Sequence, residues 1–369
     1  MKHNAAVYFE KDADLSVLEG KTLGIIGYGN QGRSQALNLR DTGAERIPGL
    51  EVIIGNPEDR YRDRAKKDGF DAVSVAEAAQ KADVLFLLVP DETLPSLFAE
   101  QIGPNLKKGA CLVFASGYNI AFGLIDPPDH ADVGMIAPRM IGVGVRETYL
   151  SGEGYFSFFC VHRDATGNAR QSLRACAGAV GTLKKGAVEV PMKQEAVLDL
   201  YNEQAFGPAF GRVLLSAIDV LLQNGLPPEA VLVEMYLSGE MSYTYQKMAQ
   251  VGLVKQVNFH SHTSQYGAMS RGIRYMNLPL KEKFQQTFDE IDSGEFAREW
   301  EKPISRLKFK LLKFFATKQK IQRIEKEVRA NLGLPEFEMN RAAEDVEELL
   351  KKTELRNELD NIKDAFELE

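Results

Sequence analysis

The chain is poor in cysteine and lacks a long uninterrupted apolar stretch. Three cysteines occur among 369 residues, an odd number with no Cys-x-x-Cys spacing, so a disulfide framework is not expected. No apolar run of about 18 residues is evident, and we expect no membrane span. No apolar segment of the secretory type follows the first residues either. These absences together predict a reduced, cytoplasmic protein.

Positive charge is not in excess. The sequence has 45 Lys and Arg against 52 Asp and Glu, a formal net charge of −7. A general nucleic-acid binder needs a surplus of cations to neutralise phosphates, so this balance argues against a nucleic-acid partner. The length allows two domains of ordinary size. We therefore expect a globular protein with a small-molecule partner.

A glycine-rich turn follows the first strong apolar run. Gly27, Gly29 and Gly32 form a Gly-x-Gly-x-x-Gly pattern between a strand pattern at 22–26 and a helical pattern. In this pattern the first glycine allows a tight turn, the second lets a pyrophosphate approach, and the third lets helix and strand pack closely. Tyr28, Asn30 and Gln31 lie within the same turn. The context predicts a dinucleotide site, and nicotinamide is favoured over flavin.

The remaining pattern divides the chain into three parts. Short β runs alternate with helical stretches up to about residue 190, which indicates parallel βαβ units and an α/β, Rossmann-type doubly wound sheet. Long helical patterns without strands follow. We predict a dinucleotide-binding domain at 1–188, a helical domain at 189–335 and an acidic helical extension at 336–369. The predicted strands are 22–26, 51–54, 84–89, 110–114, 132–137 and 156–161, and the predicted helices of the first domain are 31–42, 58–68, 75–80 and 164–179.

Several segments, in the same order, resemble one enzyme family. They are Gly27-Tyr-Gly-Asn-Gln-Gly32, Pro90-Asp-Glu92, Phe114-Ala-Ser-Gly-Tyr-Asn119, Asp199-Leu-Tyr-Asn-Glu-Gln204 and Thr263-Ser-Gln-Tyr-Gly267. Over roughly residues 5–335 the chain resembles the short form of the ketol-acid reductoisomerases. The resemblance implies a knotted helical second domain, NAD(P)H and Mg²⁺ as cofactors, and a homodimer or higher homo-oligomer. It also implies that Pro90 and Asp91 contact the cofactor.

The resemblance assigns a metal site to the helical part. Asp199 and Glu203 stand four apart on one helix, where their oxygens suit a hard cation such as Mg²⁺. The family has two more glutamates, also four apart, on the next helix. Here Glu234 and Glu240 are six apart, which is off-face on a continuous helix. We therefore predict one firm metal site and a second that is weakened or absent.

Other family positions are changed. Ser116 stands where the family has histidine, and a lone serine cannot serve as an acid–base near neutral pH. Arg139 replaces a lysine and could clamp a substrate carboxylate, or it could form a salt bridge of purely structural purpose. Ser261 matches a family serine that contacts substrate, and it is flanked by His260 and His262. Either histidine could supply the missing acid–base function, although a surface or packing role is the alternative.

The loop after the second strand should choose between the two nicotinamide cofactors. Arg60 and Arg62 could pair with a 2′-phosphate and favour NADPH, whereas Glu58 or Asp59 could accept from ribose hydroxyls and favour NADH. Asn56 opens this loop. The acidic residues come first along the chain, which favours NADH.

Three functions are compatible with these residues. The first is reductoisomerase chemistry on a 2-hydroxy-3-oxo acid such as 2-acetolactate, within branched-chain amino acid biosynthesis. The second is a divergent reductase of a different keto acid or imine, without isomerisation, which the changes at Ser116 and Arg139 favour. The third is an NAD(P)-binding protein without catalysis. Fold alone cannot separate them.

Overall fold

A computed structural model describes residues 4–334. Its contacts divide the chain after Leu200, so that one unit ends there and a second begins at Tyr201. The predicted extension at 336–369 lies outside the described residues. The strands are β1 (Val7–Tyr8), β2 (Thr22–Ile26), β3 (Glu51–Gly55), β4 (Asp71–Val73), β5 (Val84–Leu87), β6 (Cys111–Phe114), β7 (Asp132–Pro138), β8 (Phe156–Arg163) and β9 (Gly186–Glu189).

Helices follow most of these strands and account for the second unit. In the first unit they are α1 (Asn30–Arg46), α2 (Arg60–Lys67), α3 (Val75–Lys81), α4 (Leu94–Leu97), α5 (Tyr118–Ala121), α6 (Gly142–Leu150), α7 (Ala169–Ala179) and α8 (Met192–Tyr201). In the second unit they are α9 (Gly207–Gln223), α10 (Pro228–Leu232), α11 (Glu240–Val251), α12 (His262–Gly272), α13 (Leu280–Asp292), α14 (Glu295–Trp300), α15 (Pro303–Ala316) and α16 (Lys320–Asn331).

All nine strands form one sheet in the order β1-β9-β8-β7-β6-β5-β2-β3-β4. The chain moves from β2 outward to β3 and β4, and then returns to place β5 on the other side of β2. This reversal is a topological switch point, and ligands of open α/β sheets bind beyond the carboxyl ends of the strands there. The glycine-rich turn follows β2 directly. The predicted α/β Rossmann-type class is therefore confirmed, as is the helical second domain.

The sheet is not parallel throughout. The pairs among β2 to β7 are parallel, but β8 runs antiparallel to β7 and β1 runs antiparallel to β9. The expectation of parallel units up to about residue 190 is thus wrong at this side of the sheet. Three strands without a clear sequence signal, β1, β4 and β9, are only two to four residues long. Two of them, β1 and β4, are edge strands, where the apolar pattern is weakest because one side has no partner strand.

The first unit has apolar layers on both sides of this sheet. Leu23 and Ile25 of β2 belong to one buried cluster, whereas Ile26 belongs to another. Alternation along a strand sends successive side chains to opposite faces, so a strand covered on both faces is apolar at every position. The central strands β5 and β6 are buried at all four of their residues. This explains why these strands were readily predicted from continuous apolar runs.

The second unit contains helices with two π-helical turns, Asn202–Phe206 and Val233–Leu237. The continuous helix assumed for Glu234 and Glu240 is wrong, because Gly239 adopts a left-handed conformation with φ of 80° and separates the second π turn from α11. Glu234 and Glu240 therefore belong to different helical segments. Their relative orientation therefore does not follow from the rotation of one continuous helix.

One helix in the described part of the chain, Met192–Gln223, is long and apolar enough to cross a membrane by length and composition alone. The 18-residue window that meets these criteria is 11% buried, and the expectation of no membrane span stays a prediction. The part of this helix that belongs to the second unit is packed within that unit: Ile218 lies with Val231, Leu232 and Val328 in one buried cluster. Core helices of globular proteins also meet the same two criteria, so length and composition do not establish a membrane span.

Candidate active site

The three glycines of the turn have different neighbours. A Cβ added to Gly32 would lie 2.0 Å from the Gly27 carbonyl oxygen, which no side chain tolerates. Gly27 itself has φ of 93°, and a Cβ there would lie 2.7 Å from the Leu88 carbonyl oxygen. At Gly29, by contrast, nothing lies within 4 Å. Backbone atoms therefore fill the space beside Gly27 and Gly32, whereas the space beside Gly29 is empty. A pyrophosphate bound against the start of α1 requires such a space at the second glycine.

The other residues of the turn are oriented differently from one another. Tyr28 is buried, and its hydroxyl donates to Asp68 at 2.9 Å. The Gln31 side-chain amide donates to the Met140 carbonyl oxygen at 2.9 Å. Asn30 is exposed at the start of α1. Of these three residues, only Asn30 is exposed. The side-chain hydrogen bonds of Tyr28 and Gln31 stabilise the turn, so only the backbone groups of these two residues remain for a cofactor to contact.

The loop after β3 is organised by Asp59, the residue that caps α2. Its carboxylate accepts from the backbone N–H groups of Tyr61 and Arg62, and from the side-chain amide of Asn56. Asn56 is buried and acts as a brace. Asp59 was one of the two carboxylates expected to face the ribose, but its capping role was not predicted. The signal was present in the sequence, because aspartate directly before a helical pattern is a favoured N-cap.

The three remaining loop residues are not equivalent. Arg62 donates to the Ala72 carbonyl oxygen at 3.1 Å and contacts Glu58 at 3.5 Å, so its guanidinium is held against the domain. The Glu58 side chain is 91% exposed. Arg60 stacks over Tyr61 with its guanidinium carbon 4.8 Å from the ring centroid. The structure thus places an anchored cation and two carboxylates where the adenosine ribose of a bound dinucleotide would approach the loop after β3.

The loops after β5 and β6 come together at the same edge of the sheet. Asn119 is buried and donates to Asp91 at 2.9 Å, which links the two loops, and Pro90 precedes Asp91 at an exposed position. Ser116 is half-buried after β6, and its hydroxyl accepts from the Tyr118 backbone N–H at 3.2 Å. Ser116 therefore shapes its own turn and still borders the solvent.

A charged cluster lies next to this turn. Arg139, which directly follows β7, donates to Glu195 at 2.9 Å and to Asp199 at 2.5 Å. Glu195 also accepts from the Gly117 backbone N–H at 2.6 Å and is fully buried. Burial raises the pKa of Glu195 to about 7, against the lowering effect of the Gly117 N–H and the Arg139 guanidinium.

Glu195 is the site residue that the sequence analysis missed. It stands four residues before Asp199, on the same face of α8. That spacing was visible in the sequence. What the sequence could not show is that this glutamate is fully buried while Asp199 is 39% exposed. The predicted cation Arg139 is placed between the two carboxylates.

The predicted metal ligands are not all on one element. Asp199 lies on α8, whereas Glu203 lies in the π turn Asn202–Phe206, beyond the boundary between the two units. Glu234 and Glu240 are exposed on either side of the break at Gly239. Among residues 4–334 no group of three or more His, Cys, Asp or Glu side chains is close enough to hold a metal. The joint use of these carboxylates stays a prediction.

The donor chemistry nevertheless fits Mg²⁺. This ion keeps several waters and is commonly held by only one or two carboxylates together with substrate oxygens. Asp199 and Glu203 supply oxygen donors, and the open position of Asp199 admits a hydrated ion. Between Glu234 and Glu240, the Tyr236 hydroxyl donates to Glu325 at 2.6 Å. That residue is engaged within the second unit.

Ser261 and its neighbours form the start of α12. The Ser261 hydroxyl caps this helix by accepting from the Ser264 N–H at 3.3 Å. His262 is exposed, and the carbonyl oxygen of His260 accepts from the Gln265 side chain at 2.8 Å. The capping role explains a serine here on structural grounds, and its hydroxyl remains exposed.

A dinucleotide turn at the switch point of a doubly wound sheet, bordered by polar residues of three neighbouring loops, defines a nicotinamide-dependent oxidoreductase. Two family models match the chain: "Acetohydroxy acid isomeroreductase, NADPH-binding domain" over residues 17–186 and "Ketol-acid reductoisomerase, C-terminal domain" over residues 192–333. The chain belongs to the ketol-acid reductoisomerase family, and it is an NAD(P)H-dependent oxidoreductase.

Individual relatives agree. A "Putative ketol-acid reductoisomerase 3" of Saccharolobus solfataricus is 43% identical over 293 residues, which cover 78% of this chain and 86% of the relative. A "Ketol-acid reductoisomerase (NADP(+))" of Methanopyrus kandleri is 38% identical over 335 residues, covering 89% and 99%. A solved structure of an NADH-preferring ketol-acid reductoisomerase from an uncultured archaeon has a TM-score of 0.81 at 32% identity, covering 88% of this chain and 98% of that one.

Proposed function

We propose that this enzyme is a Mg²⁺-dependent reductoisomerase of a 2-hydroxy-2-alkyl-3-oxo acid such as 2-acetolactate, and acts in branched-chain amino acid biosynthesis in the cytoplasm. The observation that carries the proposal is the cluster of Arg139, Glu195 and Asp199 at the edge of the sheet that bears the dinucleotide turn. It brings a cation and an open carboxylate to the same end of the strands as the nicotinamide site. Family membership supplies the reaction class.

The five predicted catalytic residues have separate roles in this proposal. Asp199 and Glu203 would hold Mg²⁺, which as a Lewis acid would polarise the substrate carbonyl. Arg139 would attract the substrate carboxylate, because its planar fork matches that group. Ser116 would hydrogen-bond a substrate oxygen, and for Ser261 the family resemblance implies a substrate contact. A nicotinamide cofactor held at the Gly27–Gly32 turn would supply the hydride for the reduction step.

Two observations favour the second candidate function, a reductase without isomerisation. The Arg139 guanidinium already neutralises Asp199 within the protein, and no histidine stands at position 116. A simple keto acid could be reduced with Arg139 as the only cation near its carbonyl. The two candidates differ in their need for Mg²⁺. Alkyl migration in the reductoisomerase requires a cation that chelates the carbonyl and hydroxyl oxygens of the substrate, whereas simple reduction does not.

The test is oxidation of the reduced nicotinamide, followed by its absorbance, with 2-acetolactate and separately with a simple 2-keto acid. We expect turnover of 2-acetolactate that requires Mg²⁺. Turnover of the simple keto acid alone, unchanged by chelation of divalent ions, would support the reductase instead. Tight binding of NAD(P)H without turnover of either substrate would contradict both and leave a binding protein.

We also infer that NADH is the preferred cofactor. A helix N-terminus such as that of α2 would ordinarily attract a 2′-phosphate, but the Asp59 carboxylate already accepts its N–H groups. Arg62 is turned toward the Ala72 carbonyl oxygen rather than toward solvent. A 2′-phosphate would therefore meet a carboxylate at the helix start, whereas ribose hydroxyls would find an acceptor there.

Replacing Asp59 with serine should relax this preference. Serine is also a good N-cap, so α2 should remain capped while the negative charge is lost. We expect the KM for NADPH to fall by about 10-fold, equivalent to about 1.4 kcal/mol, with little change for NADH. The matched control is Glu58→Gln, which removes the charge of an exposed neighbour that caps nothing. Equal effects of the two variants would mean that the general charge of the loop, rather than Asp59, sets the preference.

The second unit supports a homo-oligomer. Phe206, Phe210, Val213 and Val220 expose from 36% to 58% of their surface, and all lie along the helix from Met192 to Gln223. Apolar surface of this extent is uncommon on a monomer and marks an interaction site. We propose that a second copy of the chain covers it. A solution mass equal to one chain would contradict this.

A further inference from the structure

Arg139 is held between two carboxylates of unequal environment. Its Nη2 donates to Glu195 and its Nη1 to Asp199, at 2.9 and 2.5 Å. The guanidinium lies over the Phe158 ring, with 4.9 Å between its central carbon and the ring centroid. One side of the fork is thus tied to a fully buried carboxylate and the other to a carboxylate that is 39% exposed.

The two contacts differ in how readily they can be released. Glu195 is fixed by a second hydrogen bond, from the Gly117 N–H, and has no access to water. Asp199 can exchange its ion pair for water or for a dissolved cation. Partly exposed ion pairs are weak, so a divalent cation can displace this one. A lysine could not contact both carboxylates in the same planar way, because only arginine presents a rigid fork of donors.

We propose that the Arg139 guanidinium and a divalent cation compete for the Asp199 carboxylate, and that cation binding frees Nη1 to bind the carboxylate of an oxo-acid substrate. Glu195 keeps the guanidinium at the site after Asp199 is released. Metal binding and substrate-carboxylate binding are then coupled through one side chain. The inference depends on the proposed function, in which Asp199 is a metal ligand.

This competition gives Arg139 a role beyond attracting the substrate. In the metal-free protein the guanidinium neutralises Asp199 and lowers its affinity for cations. In the metal-bound protein Nη1 of Arg139 has lost the Asp199 carboxylate, so it can donate to an anionic group of the substrate. We therefore expect Arg139 to weaken metal binding on its own and to strengthen metal binding when a carboxylate ligand is present.

The test is the affinity of the full-length protein for Mn²⁺, measured by the electron paramagnetic resonance signal of the free ion. Replacing Arg139 with glutamine should tighten Mn²⁺ binding by about 5- to 10-fold in the absence of substrate. The matched control is Arg170→Gln, which removes the same charge from an ion pair with Glu189 elsewhere on the first unit. That control should leave Mn²⁺ affinity unchanged, which separates local competition from the effect of net charge.

Two further variants make the outcome decisive. The double variant with Arg139→Gln and Glu195→Gln avoids a buried unpaired carboxylate, so it should fold and show the same tighter Mn²⁺ binding. Asp199→Asn should abolish the binding. If Asp199→Asn weakens Mn²⁺ binding but neither Arg139 variant tightens it, the competition is overturned and the metal site stands. If Asp199→Asn binds Mn²⁺ as wild type does, both the metal assignment and the competition are overturned.

Discussion

Replacing Gly32 with alanine is expected to weaken NAD(P)H binding strongly and to destabilise the first unit. The added Cβ would lie 2.0 Å from the Gly27 carbonyl oxygen, and that atom belongs to backbone, which cannot rotate away. The start of α1 must therefore move from the turn. We expect a loss of about 3 kcal/mol in the free energy of unfolding. NADH affinity, measured by the quenching or transfer of protein fluorescence, should fall by about 100-fold, equivalent to about 2.7 kcal/mol.

Gly29→Ala is the matched control within the same turn. Nothing lies within 4 Å of the added Cβ, and the backbone has an ordinary φ of −73°. Its free energy of unfolding should therefore stay within about 1 kcal/mol of wild type. Its NADH affinity should nevertheless fall, because the Cβ fills the side from which the pyrophosphate approaches. Undiminished NADH affinity in Gly29→Ala would show that the phosphates lie elsewhere.

These glycines show why one part of the site could be predicted from the sequence. Their roles depend on backbone distances that repeat wherever a strand, a tight turn and a helix follow one another. Gly27, Gly29 and Gly32 therefore carry geometric information in their spacing alone. The same holds for the central strands, since a strand covered on both faces must be apolar throughout.

The parts that could not be predicted depend on contacts between distant segments. Glu195 and Asp199 are both acidic residues on one helix, and only the packing against the Ser116–Gly117 turn makes the first buried and leaves the second open. Asp59 was visible as a helix cap, but the contact of the Arg62 guanidinium with the Ala72 carbonyl oxygen requires β4, a short edge strand with little signal. The break at Gly239 was hidden because glycine within a helical pattern is often tolerated.

The departures from the family pattern are physically connected through Arg139. An arginine in place of lysine can satisfy two carboxylates at once, and in doing so it ties the loop after β7 to α8. Stability and chemistry at this site then depend on the same side chain. A substitution at Arg139 should therefore change both, in a manner that depends on pH.

Replacing Arg139 with methionine should destabilise the protein strongly in alkaline solution and weakly in acid. Glu195 would stay buried without its cation, and breaking such a pair costs about 3–5 kcal/mol while the carboxylate is charged. In the wild type, burial already raises the pKa of Glu195 from 4.5 to about 7. Removal of Arg139 raises the pKa of Glu195 further. The stability that this group contributes is therefore present below about pH 4.5 and is lost as the pH rises through the folded-state pKa.

Urea unfolding at about pH 5.5 and about pH 8.5 checks the sign of this effect. At the lower pH Glu195 of the variant is protonated in the folded state, so the loss of stability should shrink to about 1 kcal/mol. The variant Arg170→Met should lose less than about 1 kcal/mol at both values, because that pair is partly exposed. Adding Glu195→Gln to Arg139→Met should remove the pH dependence, since no buried carboxylate remains to titrate. Equal losses at both pH values in Arg139→Met would mean that Arg139 stabilises the site through packing on Phe158 rather than through the charge of Glu195.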